Sequence, residues 1–220
     1  MIYVTGDGFA AASYAACPYS WASQDETYHL HGTLPHIENL NVSFANRLGL
    51  ALHQPVRTEA YELALYDRVF SQIENVLKLN VQYMVISWPS FFRSIVEVDG
   101  TTYPFRFLDI EKYTHPDNIK AAMRAKMGSI KTKESYQSFQ EKCSDLCSLL
   151  DSKKIHYSMM MGENKLPFDI TFGRWLWDPE ETTVKSWAED NQFLNDFGFL
   201  TEFGHKELGK LLIVHLTKQL

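Results

Sequence analysis

A chain of 220 residues with 45% hydrophobic content is long enough for one sizeable core, and no linker divides residues 1–220 into two domains. Its net charge of −6 leaves no basic footprint for nucleic acid, no apolar run reaches membrane-spanning length, and no basic leader precedes an apolar stretch. Three cysteines do not make a secreted disulfide scaffold, so the expectation is a protein made in the cytoplasm, without a signal peptide and with reduced thiols.

Residues 2–5 read as a first strand. The stretch "IYVTGDGFAAASYA" carries that strand through Gly6-Asp7-Gly8 into a small-residue segment that reads as a helix. Such a strand-to-helix turn presents a reactive group, yet position 8 has no side chain. Residues 41–52 read as a helix and 55–61 as a short second strand. Leu65, Val69, Ile73 and Leu77 then recur every four residues, with Tyr66, Phe70 and Val76 beside them, which is one apolar helix face.

"VQYMVISWP", residues 81–89, is a continuous apolar run suited to a strand covered on both faces. After it, "SIVEVDGTTYPFRF" places Asp99-Gly100 between two β-prone runs, a hairpin signal over 94–107. That hairpin leaves the end of the third strand, so it either overhangs the site or packs on the body or a neighbouring subunit. "NIKAAMRAKMGSIKTK" reads as a solvated helix face. Phe139, Cys143, Leu146, Cys147 and Leu150 mark one side of a further helix, and "IHYSMMM" the strand after it. At 178–181 the spacing predicts a helix start, with Asp178 as N-cap, Pro179 at the first position and Glu181 closing a capping box. Val184, Trp187, Ala188 and Leu194 form its apolar face. A last helix over 205–218 buries Leu208, Leu211, Leu212 and Leu216.

Alternating strands and helices predict an α/β fold with a mainly parallel sheet covered on both faces. Ligands of such sheets bind at the carboxyl ends of the strands. The turn at Gly6-Asp7-Gly8 and the "SWPS" stretch lie at such ends, which makes Asp7, Ser87, Trp88 and Ser90 candidate binding residues for a small ligand.

"GDGF" after the first strand and "EFGHKELG" ahead of the last helix together resemble the SGNH, or GDSL-type, hydrolases. The runs "LPHIENLNVSFANRLGLAL", "VISWPSFFR" and "WLWDPEETTVKSWAEDNQFL" are similar to SGNH-like proteins of bacteriophages. The resemblance covers most of the chain outside the hairpin. It implies one three-layer α/β/α sandwich and a site in which a Ser follows Gly-Asp, with a His three residues after an Asp as its base. Here Gly8 stands at the nucleophile position, and His205 and Glu202 stand where the base and its carboxylate belong. The family's oxyanion glycine has no counterpart in "TEAYELA", and Pro89, which has no N–H or side-chain donor, takes the place of its asparagine.

Removing a serine nucleophile costs on the order of a million-fold in rate, and one oxyanion donor roughly a hundred- to a thousand-fold. The resemblance therefore implies a catalytically impaired protein, a pseudoenzyme that serves as a binding or structural module. The phage likeness implies a virion setting, with glycan recognition or protein partners in a larger assembly. The alternative is an active serine esterase or deacetylase in which a displaced nucleophile, Ser87 or Ser90, works with His205 and Glu202. His29 and His31 alternate as strand ligands would but lack a third partner, so neither a metal nor a cofactor is expected. Phe168, Phe172, Trp175 and Trp177 either form a sugar-stacking platform or cover the sheet edge.

Overall fold

Four parallel strands carry the fold in the computed structural model, which describes residues 1–17, 36–60, 64–129, 132–166 and 169–219. They are β1 (Ile2–Gly6), β2 (Val56–Ala60), β3 (Tyr83–Trp88) and β6 (His156–Met161), in the order β2-β1-β3-β6. β1 and β3 are central and buried throughout, which is why 81–89 reads as a continuous apolar run. Their register sets Gly6 beside Ser87, and that of β3 with β6 sets Trp88 beside Met161.

Alternation along the strands separates two cores. Tyr3, Met84, Ile86, Trp88, Tyr157, Met159 and Met161 face α3 (Tyr66–Val76) and α5 (Thr132–Ser152). Ile2, Val4, Tyr83, Val85 and Met160 face α2 (Phe44–Leu52), α6 (Val184–Asp190) and α7 (Glu202–Thr217). The architecture is thus the expected three-layer α/β/α sandwich. Burying the two faces is the main stabilising term, at roughly 1.5–3 kcal/mol for each large apolar side chain. Among the described residues no helix is long and apolar enough to cross a membrane.

The hairpin insertion forms as β4 (Arg93–Val98) and β5 (Thr101–Arg106), antiparallel and outside the main sheet. Asp99 and Gly100 both have positive φ, 52° and 75°, as a two-residue turn of this hand requires. A 3₁₀ turn (Phe107–Lys112) and α4 (Asp117–Ser129) complete a third, smaller core of Val96, Phe105, Ile110, Ile119 and Met123. The lysine-rich stretch is therefore the outer side of α4, whose Ile119 and Met123 cover the hairpin.

Residues 174–176 extend the sheet beyond β6. Met159 N–H donates to Arg174 O at 2.9 Å, and Leu176 N–H donates to Met159 O at 2.8 Å. Phe172 and Trp175 pack against the α3/α5 core, and Trp177 against the opposite one, so these aromatics cover the sheet edge. Phe168 lies outside the described residues, as do His29 and His31.

Several sequence expectations need correction. The helix over 41–52 is two: α1 (Ile37–Val42) and α2, broken at Ser43. Ser43 Oγ donates to Leu40 O at 2.6 Å and accepts from Asn46 N–H at 3.1 Å, so one residue ends the first helix and caps the second. The segment after Gly8 is a run of turns, with Ala12 and Tyr14 left-handed (φ 54° and 60°), which no helix tolerates. Residues 178–181 make one turn only: Asp178 O accepts from Glu181 and Thr182, and Thr183 is extended. The helix begins at Val184, where Thr183 and Ser186 form the capping box. Leu194 lies beyond that helix, bridged to Leu200, and Leu211 is 39% exposed on the outer side of α7.

The relocated cap makes a prediction. Thr183→Ala should cost about 1 kcal/mol in urea unfolding, and more than Asp178→Ala. An equal or larger loss for Asp178→Ala would return the helix start to 178.

Candidate functional site

The polar centre of the molecule forms where β1, β3 and β6 end. At Gly6 (φ 132°) the chain passes so close to β3 that a Cβ would lie 2.0 Å from Ser87 O, so only glycine fits. Asp7 N–H donates to that same carbonyl at 3.2 Å, which turns the Asp7 side chain inward over the strand ends. Its Oδ1 accepts from Ser87 Oγ at 2.8 Å and from Phe9 N–H at 3.2 Å. Its Oδ2 lies against Gly162, where any Cβ would sit 1.7 Å away, and has no hydrogen-bond partner among the described residues.

Asp7 is fully buried, and burial pushes its carboxyl from 3.8 up to about 6, against the opposing pull of Arg93 and the Ser87 hydrogen bond. Arg93 opens the hairpin and Arg106 closes it. Both bind Glu163, the residue after Gly162, at 3.1 Å and 2.8 Å. Asp109 pairs in turn with Lys112 at 2.8 Å. Arg106, Asp109, Lys112 and Glu163 border a cleft of about 400 Å³, together with Ser90, Phe92 and Lys185. Ser90 Oγ accepts from Phe92 N–H at 3.1 Å. The strand ends therefore bring Asp7 and Ser87 together in the interior, while Ser90 stands apart from them on the cleft. Trp88 is elsewhere: its ring packs on Phe70 and Phe139, 4.8 Å and 5.1 Å between centroids, inside the core.

The turn at Gly8 is covered. A Cβ there would meet Phe199 Cε1 at 2.4 Å, because that ring lies on the turn and against Phe9 and Tyr14, 5.4 Å from each. His205 and Glu202 do not form a pair. His205 continues the inward stripe of Leu208, Leu212 and Leu216 on α7, and its ring lies 5.8 Å from that of Phe44. Neither ring nitrogen has a hydrogen-bond partner among the described residues, and burial, reinforced by the charge of Arg47, pushes the imidazole down to about 3. Glu202 points out, its side chain 63% exposed and 3.6 Å from Arg47.

Sequence reasoning missed Arg93, Arg106, Glu163 and Phe199. The first three had a signal, since they flank the hairpin and follow a strand end. Phe199 had none, because it reaches the turn from a loop almost two hundred positions away.

No family model matches the chain, and no curated protein does. Solved structures similar to it include a G-D-S-L family protein, named as lipolytic, from Desulfitobacterium hafniense DCB-2. It is 12% identical with a TM-score of 0.42, over 98% of both chains. A carbohydrate esterase described as having divergent catalytic and non-catalytic binding functions is 12% identical with a TM-score of 0.48, over 99% of this chain and 64% of its own. An acetyl xylan esterase from the rumen bacterium Butyrivibrio proteoclasticus is 9% identical with a TM-score of 0.49, over 99% and 63%. The chain spans less than two thirds of the length of those two esterase chains.

Two measurements follow from this geometry. The native state holds the Asp7 proton more tightly than the unfolded chain does, so stability from this group is greatest below about pH 4. It is lost as pH rises through about 6, by roughly 3 kcal/mol. Asp7→Asn should remove that part of the stability–pH profile; an unchanged slope would contradict the assignment. His205 acts in the opposite sense, its neutral form costing stability as pH falls below about 6.5. Because its nitrogens are unpartnered, His205→Leu should leave the thermal midpoint at neutral pH equal or higher, whereas a clear drop would reveal a hydrogen bond that the structure lacks.

Proposed function

We propose that the chain is a non-hydrolytic SGNH-like module that binds a small polar ligand, of the glycan class, in its strand-end cleft. The observation that carries this reading is the Phe199 ring seated on Gly8, where the family's nucleophile would project. The separation of Glu202 from a buried, unpartnered His205 supports it further, since an acyl-transfer base needs a reachable nucleophile and an orienting carboxylate. Ser87 and Ser90 do not supply a substitute. Ser87 Oγ donates to Asp7, Ser90 Oγ accepts from a backbone amide, and the described residues that line the cleft include no histidine.

The cleft suits hydroxyl-rich ligands. Glu163 and Asp109 accept, Arg106, Lys112 and Lys185 donate, Asn164 does both, and Phe92 offers an apolar ring. The resemblance to bacteriophage proteins supports a virion setting with protein partners, in which the module assembles with itself or with a neighbouring component.

The purified chain should not turn over p-nitrophenyl acetate above the rate of a His205→Ala variant. Gly8→Ser should remain inactive and lose about 1–3 kcal/mol of stability, because the added side chain collides with Phe199. Turnover that His205→Ala abolishes would overturn the non-hydrolytic reading. On a panel of oligosaccharides, binding that Lys185→Ala or Asn164→Ala weakens would support the cleft, and binding untouched by both would exclude it.

A further inference from the structure

We propose that Cys17, His36 and Glu38 form a three-residue binding site for a divalent ion of the zinc class. The sequence gives no hint of it, since Cys17 and His36 are far apart in the chain. The fold brings one ligand atom of each residue within 4.8 Å of the others. A tetrahedral zinc ion holds its ligands at about 2.0–2.3 Å, and hence roughly 3.3–3.8 Å from one another, so small side-chain rotations close the set.

The backbone under these residues is already fixed. Asn39 is fully buried, and its Oδ1 accepts from Ala16 N–H at 2.9 Å and Cys17 N–H at 3.0 Å. That clamp holds the Cys17 strand of chain against the start of α1. His36 is the N-cap of α1, its Nδ1 accepting from Glu38 N–H at 3.3 Å. The three ligands therefore stand on one frame, 36–39, with Cys17 pinned to it through Asn39.

The donor set selects the ion. A thiolate beside an imidazole and a carboxylate favours zinc over magnesium or calcium, which take oxygen ligands. Binding releases the Cys17 thiol proton to solvent and leaves a fourth position for water. Glu38 is exposed and His36 half-buried, so an ion can approach from their side. None of the three lines the strand-end cleft, so this site stands apart from the ligand reading above. Bound metal would cross-link positions 17 and 36 and raise stability by mass action.

The test uses the full chain, freed of metal by a chelator, with Zn²⁺ alone in equilibrium dialysis and Co²⁺ alone in absorption. The expected result is one equivalent bound, a sulfur-to-cobalt charge-transfer band, and a higher thermal midpoint with Zn²⁺. Cys17→Ser should lose the band and weaken Zn²⁺ binding about a hundredfold, His36→Ala similarly, and Asn39→Ala about tenfold by loosening the frame. Circular dichroism without metal checks that each variant folds. A His29→Ala/His31→Ala variant should bind as the parent does. Absence of stoichiometric binding, binding unchanged by Cys17→Ser and His36→Ala, or binding lost only in the His29/His31 variant would overturn the proposal.

Discussion

A single carboxylate, that of Asp7, organises the carboxyl end of this sheet. It is fully buried, and three neighbouring elements are shaped around it: Gly6 lets the chain turn against β3, Ser87 donates to it, and Gly162 leaves room for its second oxygen. An ionised carboxylate in that position is costly unless a counter-charge lies near. Arg93 provides one, and Glu163 holds Arg93 in turn while also holding Arg106. The hairpin, an insertion with its own small core, is thereby fixed to the sheet at both of its ends. The buried charge thus couples an accessory element to the place where sheets of this type bind ligands. Buried ion pairs add little net stability. Their effect here is orientation of the hairpin over the cleft.

At the same end of the sheet, the residues around the Gly8 turn serve packing. Phe199 lies on Gly8 with Phe9 and Tyr14 packed against its ring, and His205 belongs to the apolar stripe of α7. Glu202, in the first turn of that helix, is exposed and lies near Arg47.

Long periodic segments were legible in the sequence. The four-residue recurrence in α3, the buried face of α5 and the apolar run of β3 dictated their elements, because each must bury one or both faces. The Asp99-Gly100 turn was equally legible, since few residue pairs accept two positive φ angles. Breaks and caps were not. Ser43 splits a helix with one hydroxyl, and Thr183 with Ser186 outcompetes the Asp178-Pro179 signal, both through local hydrogen bonds that periodicity does not register. At the strand ends, the meeting of Asp7 and Ser87 was legible from the positions of those ends alone. The partners that decide the site's chemistry, Glu163 and Phe199, depend on which segments the fold brings to those ends.

The central claim is that no side-chain nucleophile is activated at the strand ends. Fluorophosphonate labelling of the native chain, followed by peptide mapping, tests it most directly. The account predicts no labelled serine above the level seen with the heat-denatured chain. Stoichiometric labelling of Ser87 or Ser90 that disappears in His205→Ala would contradict it.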